Sequence, residues 1–375
     1  MASVLRSELA LIAGVITAVI FFTVGSAWLA DLTNLPLSGA MFVWLFMVMM
    51  WCAFGVVHHG EALAALLGEP YGTPVLTISV ISIEVTIMAI VMFSGDPNPT
   101  LPRETMFAIL MIVLNGMVGL ALVIGAVRYG QQRYNLKGAI AFLAVITPLS
   151  VIALVLPEFV HSTADRSFTP LQAKVFAILT VLLYGAFLAI QTVRHRPFFV
   201  EPTQGAAPET EGSDGQLRDH EHSAIRSVPY HAIFLVLTLL PVVLLSKPLA
   251  TLLDYGIEKA GAPTPLGGIF IAILILSPEG LAALQAAARN ELQRCVNLCL
   301  GSAVATIGLT VPVVLTISVV TGNPLMLGID NVEMVLLALT LFVGHMTFSG
   351  APTNLLLGLV HLVLFSAYIV LVFNP

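Results

Sequence analysis

The stretch GTPVLTISVISIEVTIMAIV, residues 72–91, is apolar over most of its length and holds one carboxylate, Glu84, near its middle. Far downstream GGIFIAILILSPEGLAALQA, residues 267–286, does the same with Glu279. Laid over each other without a gap from Gly72 and Gly267, the two place Ser82 on Ser277 and Glu84 on Glu279, each acid twelve residues after its glycine. With a gap for a longer loop, Arg103 then falls on Arg289 and Asn115-Gly116 on Gly301-Ser302. The identity is weak, but it gathers on the residues least expected in an apolar run.

Apolar runs of about 20 residues are long enough to cross a hydrocarbon core of roughly 30 Å as helices. Eleven fit that description: 9–30, 39–57, 73–94, 105–127, 138–156, 173–193, 231–246, 266–288, 296–320, 332–349 and 353–373. Of the 375 residues 58% are hydrophobic and 10% charged, with a mean hydropathy of +0.98. An ordinary soluble domain has about 25% charged residues, so the chain reads as an all-α polytopic membrane protein. The alternation of a transmembrane barrel is absent. The first run is longer than the core of a cleaved signal and lacks a small-residue cleavage site, so it is taken as a membrane helix.

An odd number of spans puts the termini on opposite sides. With the N-terminus in the cytoplasm, ten Lys and Arg residues lie inside and five outside, as the positive-inside tendency favours. The third and eighth spans, which carry Glu84 and Glu279, then run in opposite directions and make an inverted repeat. Twelve residues at about 1.5 Å each put either carboxylate about 18 Å from its helix start, close to mid-membrane from both sides. The polar segment EPTQGAAPETEGSDGQLRDHEHS, residues 201–223, has no hydrophobic period and reads as a flexible cytoplasmic linker. The expected division is an N-terminal helix within 1–38, a first group of five spans at 39–193, the linker at 194–230 and a second group of five at 231–375.

A lone carboxylate at mid-membrane costs at least about 2.5–3.5 kcal/mol when charged, so it is expected to be protonated, paired or holding a cation. No Lys or Arg lies near the middle of a span to pair with either acid. Protons and cations then compete for the same oxygens, and two nearby acids titrate as one unit. A site that can turn across the membrane only when neutralised trades one for the other. Hard oxygen ligands suit sodium, potassium or calcium. Supporting oxygens could come from Ser82, Ser277, Asn115 and Ser302, from Ser79, Thr86 and Thr306, and from carbonyls freed near Pro278. Ser and Thr also serve simply to pack helices. Cys295 and Cys299 share a helical face, yet nothing completes a metal site with them, and packing is the expected role. His58, His59 and Glu61 open a short segment between the second and third spans, read as an interfacial helix or a pH sensor. His345, Ser349, Thr353 and Asn354 surround the last turn, where packing or an access path would both fit. No basic stripe with interleaved aromatics points to nucleic acid, and no cofactor motif is present.

Three long stretches carry a resemblance: HHGEALAALLGEPYGTPVLTISVISIEV (58–85), LILSPEGLAALQAAARNELQRCVNLCLGSAVATIGLTVPVV (274–314) and HMTFSGAPTNLLLGLVHLVLFSAY (345–368). In these the chain resembles the ChaA-type sodium-potassium/proton and calcium/proton antiporters of the calcium/cation antiporter superfamily. The resemblance implies one leading helix followed by two inverted five-helix repeats, and efflux of cations against protons across a bacterial inner membrane. It places the essential repeat acids on Glu84 and Glu279, and small polar positions on Asn115 and Ser302. Many proton/calcium exchangers of the superfamily have Asn three residues before each repeat acid, where this chain has Ile81 and Leu276. That departure leaves Ca2+, Na+ and K+ open as substrates. An intramembrane metal-dependent or lipid-modifying enzyme would instead need a nucleophile with its base, or a metal triad, at one depth. A passive cation channel would have no need of matched acids.

Overall fold

The computed structural model describes residues 8–68, 72–93, 99–160, 167–200, 226–322, 325–350 and 352–374. Among the described residues the regular elements are all helices, with one isolated bridge between Gln132 and Thr353. In chain order the main elements are α1 (Leu9–Thr23, followed by a short helix Gly25–Ala30), α2 (Leu35–Leu67), α3 (Gly72–Phe93), α4 (Leu101–Tyr129), α5 (Leu136–Phe159), α6 (Pro170–Arg194), α7 (Val228–Ala260), α8 (Pro265–Ala288), α9 (Leu292–Thr321), α10 (Asn331–Thr347) and α11 (Leu355–Phe373). Among the described residues, eight of these helices are long and apolar enough to cross a membrane, while Leu9–Thr23, Val75–Ile90 and Asn331–Thr347 are shorter apolar helices. Most of the acidic linker expected at 194–230 lies outside the described residues.

Local chemistry sets the ends. Thr169 and Gln172 form a reciprocal capping box ahead of Pro170, and Asp330 and Glu333 form another at the start of α10. Asn34, Asn135 and Asn354 cap α2, α5 and α11 through their side chains. Gly68, Gly130, Gly261 and Gly322 end α2, α4, α7 and α9 with positive φ, a conformation open to glycine without strain.

Two helices run well past the apolar runs that announce them. α2 has 33 residues, about 50 Å at 1.5 Å per residue, and carries His58, His59 and Glu61 on the same continuous helix instead of on a separate interfacial one. α7 also has 33 residues and continues through Pro241 and Pro248, which neighbouring helices make tolerable in a membrane bundle. These two pack along each other. α4 lies at the centre, with 78% of its most apolar stretch buried, whereas α6 and α11 bury only 22% and turn most of their surface outward. Where α8 crosses α4 the backbones touch: a Cβ on Gly268 would sit 2.5 Å from the carbonyl carbon of Glu104.

Candidate functional site

Glu84 on α3 is 2% exposed and faces α9, where Thr306 Oγ1 donates to its Oε2 at 2.8 Å and the Thr310 hydroxyl also lies beside the carboxyl group. The other oxygen, Oε1, is buried and accepts no hydrogen bond among the described residues. Glu279 on α8 likewise holds a buried Oε2 without a partner among the described residues. Leaving such groups unpaired costs about 1–3 kcal/mol each, and more when charged, so these oxygens are poised for something that is not protein.

Both acids line one cavity of about 850 Å³. Ser302 and Thr306, one turn apart on α9, line it too, with Ser302 beside Glu279. Ser302 lies in the α-helical part of α9, and Thr306 opens a π-helical turn, Thr306–Thr310, whose wider winding re-aims side chains out of ordinary helical register. Pro278, next to Glu279, has no N–H, so the carbonyl of Leu274 loses its usual helical donor at the level of the acid. At the mouth stand His58, Glu61 and Arg294, all exposed, from the far end of α2 and the start of α9. The cavity therefore leads from the face bearing these residues down to the buried Glu84 and the half-buried Glu279.

Tyr184 of α6 forms part of the wall and presses on the π turn. A Cβ on Gly308 would lie 2.8 Å from its ring, closer than real Cβ atoms approach. Gly308→Ala is expected to push Tyr184 aside and to destabilise the protein by about 1–3 kcal/mol, the usual cost of overpacking. Thermal unfolding of the purified protein checks this, with Gly308→Ala melting several degrees below the native chain. The Thr306 bond to a carboxylate is of the charge-assisted kind, worth about 1.5–3 kcal/mol. Thr306→Val is expected to leave Glu84 Oε2 buried without its donor and to destabilise the protein by about 1–3 kcal/mol, read from thermal unfolding of the purified protein.

The structure brings together Glu84, Glu279, Ser302 and Thr306. It does not bring Ser82, Ser277 or Asn115 to the cavity. Ser82 donates to the Ser79 carbonyl at 2.6 Å and Ser277 to the Ile273 carbonyl at 2.5 Å, each within its own helix. Two residues is about 200° around a helix, so a serine there faces away from its acid. Asn115 is fully buried in another polar chain, donating to Thr340 Oγ1 at 2.8 Å and meeting His361 Nδ1 at 3.3 Å, while His361 Nε2 meets Thr347 Oγ1 at 2.9 Å. That chain ties α4 to α10 and α11. Ser79 bonds the Val75 carbonyl, and neither it nor Thr86 lines the cavity. His345 meets Thr147, Thr353 bonds Gln132 and Asn354 caps α11, so the last turn is stitched to α5 and to the end of α4. Cys295 and Cys299 are buried and free. Sequence reasoning missed Tyr184, whose only signal was a phenol inside an apolar run.

The sequence pattern of the family described as sodium/calcium exchanger protein matches residues 37–193 and 230–374. The sodium-potassium/proton antiporter ChaA of Escherichia coli (strain K12) is 38% identical over 368 residues, 98% of this chain and 97% of that protein. Among solved structures, the Ca2+/H+ antiporter protein YfkE superposes with a TM-score of 0.73 at 18% identity, covering 98% of this chain and 100% of its own. The H+/Ca2+ exchanger CAX gives 0.68 at 12% identity, covering 97% and 88%. Those two likenesses establish the fold.

Proposed function

The chain belongs to the sodium/calcium exchanger protein family, and on that premise we propose that it is a secondary antiporter, exchanging cytoplasmic Ca2+, Na+ or K+ for protons across a bacterial inner membrane. The observation that carries the reading is the pair of buried carboxylate oxygens of Glu84 and Glu279, unpartnered among the described residues, on one cavity. Either oxygen set can be satisfied by protons or by a cation, and each form excludes the other. For a divalent cation two protons balance the charge. Each unit of pH gradient then contributes about 1.36 kcal/mol per proton to extrusion.

Ser302 and Thr306 supply neutral oxygens from α9. With the N-terminus cytoplasmic and the C-terminus periplasmic, the mouth formed by His58, Glu61 and Arg294 faces the cytoplasm, so cations enter from the side they leave. The eleven helices α1 to α11 all cross in this arrangement, α1 leading and the two groups of five inverted with respect to each other. Rocking of one group against the other would turn the acids to the opposite face. The bilayer and the inorganic ions are the partners this requires; no bound cofactor enters.

Relatives named as antiporters favour this over an intramembrane enzyme or a channel. Everted vesicles test it: after a pH gradient is set, adding K+, Na+ or Ca2+ dissipates it if the chain exchanges that ion. A gradient untouched by all three ions would contradict the proposal.

A further inference from the structure

Away from the cavity floor, five polar side chains from three elements close into one chain. Glu8, just ahead of α1, is 5% exposed, His59 of α2 is 2% and His231 of α7 is 5%. His59 Nε2 meets Glu8 Oε2 at 3.1 Å, and His59 Nδ1 meets His231 Nδ1 at 3.0 Å. Tyr230 donates its hydroxyl to Glu8 Oε1, and Arg226 donates to the Tyr230 oxygen while its guanidinium lies over that ring. Among the described residues His58 is the remaining titratable neighbour: its ring centroid is 5.6 Å from that of His59 and 6.4 Å from that of His231. It also lines the large cavity and a smaller one that it shares with Glu8 and His59. Water and protons at the mouth therefore reach the chain without passing the transport acids.

The proton count of this chain is constrained by its geometry. Glu8 accepts, so His59 holds a proton on Nε2. Between the two Nδ1 atoms there is room for one proton only, because one nitrogen must donate and the other accept. A neutral pair satisfies this, and so does a pair with one added proton. With a second added proton both Nδ1 atoms carry hydrogen and face each other at hydrogen-bond distance, so the contact must part. His59 and His231 stand on the two helices, α2 and α7, that pack along each other, and α2 also supplies His58, Glu61, Ala62, Ala64 and Ala65 to the cavity wall.

We propose that the Glu8–His59–His231 chain is a second proton-binding site, separate from Glu84 and Glu279, through which acid on the mouth side unties α2 from α7 and slows exchange. The inference rests on the antiport reading above. It differs from simple competition in one measurable respect. Protons competing at Glu84 and Glu279 are displaced by more cation, whereas protons bound at the histidine pair are not.

The test is exchange by the full chain in everted vesicles at saturating concentration of whichever of K+, Na+ and Ca2+ gives the largest response, as bath pH is lowered. The native chain is expected to lose about tenfold in maximal rate between about pH 6.5 and about pH 5, the lower part of the imidazole range, because the contact parts only when a second proton is added against the charge of the first. His231→Asn keeps a hydrogen-bonding group near the Nδ1 position but cannot take the added proton, so its own rate is expected to change less than about twofold over the same interval. Glu8→Gln removes the negative charge that favours protons on the pair, and its loss of rate should move to lower pH. A native chain with no acid loss at saturating cation overturns the proposal, as do variants that both follow the native profile. Vesicles in which no ion dissipates the gradient at any pH would instead count against antiport itself.

Discussion

Glu84→Gln and Glu279→Gln are each expected to abolish cation-driven dissipation of a preset pH gradient, while the protein still inserts and its helical content is unchanged. Glutamine matches the size of glutamate and keeps an oxygen on the cavity, but it stays neutral at every pH. A cation facing one carboxylate in place of two loses a partner in a buried ion pair, at a cost of about 3–5 kcal/mol. At about 1.4 kcal/mol per tenfold, affinity falls by roughly a hundredfold to several thousandfold. The same substitution removes a proton carrier, so affinity regained at high cation concentration would not restore coupling. The measurement is the rate of gradient collapse in everted vesicles, with insertion checked by immunoblotting. Native exchange by either variant would remove that acid from the mechanism.

The second large effect is on cation affinity as pH changes. In the proposed exchange protons hold the carboxylates in the form that cannot bind a cation, so acid on the mouth side is expected to weaken cation binding and alkali to strengthen it until both acids are bare. Over the range in which they titrate, each unit fall in pH should raise the half-saturating cation concentration about tenfold for each proton that must leave. Two acids titrating together would make that about a hundredfold for a divalent ion. Saturating cation cancels this effect. The loss assigned to His59 and His231 survives saturation, so rate curves against cation at several pH values separate the two sites. A half-saturating concentration independent of pH would mean that protons and cations do not share Glu84 and Glu279.

Much of this arrangement is written in the pattern of charge along the chain. In a sequence with 10% charged residues, two acids inside apolar runs stand out because burying a carboxylate is costly, and their matched neighbours point to paired helices. The helical architecture follows from the same hydropathy. Which oxygens would join the acids was harder to see. Ser82 and Ser277 are close to the acids in sequence, but helical periodicity turns them away, and they bond their own backbones instead. Ser302 and Thr306 belong to a different helix and reach the cavity through a crossing that no local pattern encodes.

Helix ends were legible where a capping residue or glycine marked them and misjudged where polarity stood in for an end. His58 and His59 interrupt an apolar run without breaking a helix, so α2 continues to Gly68. Asn115 aligned with the second repeat by sequence, yet His361 and Thr340, both more than two hundred positions away, occupy its amide. The Glu8–His59–His231 chain draws on three distant segments and has no linear signature.

The account stands most directly on whether a cation and protons exchange places on Glu84 and Glu279. Purified protein in weakly buffered detergent solution, challenged with K+, Na+ or Ca2+ between about pH 6 and about pH 8, reports this through a pH-indicator dye. The native chain is expected to release protons as the cation saturates its site, and the Glu84→Gln/Glu279→Gln double variant to release none. Equal release from both proteins, or cation binding by the native chain with no release at any pH in that range, would contradict it.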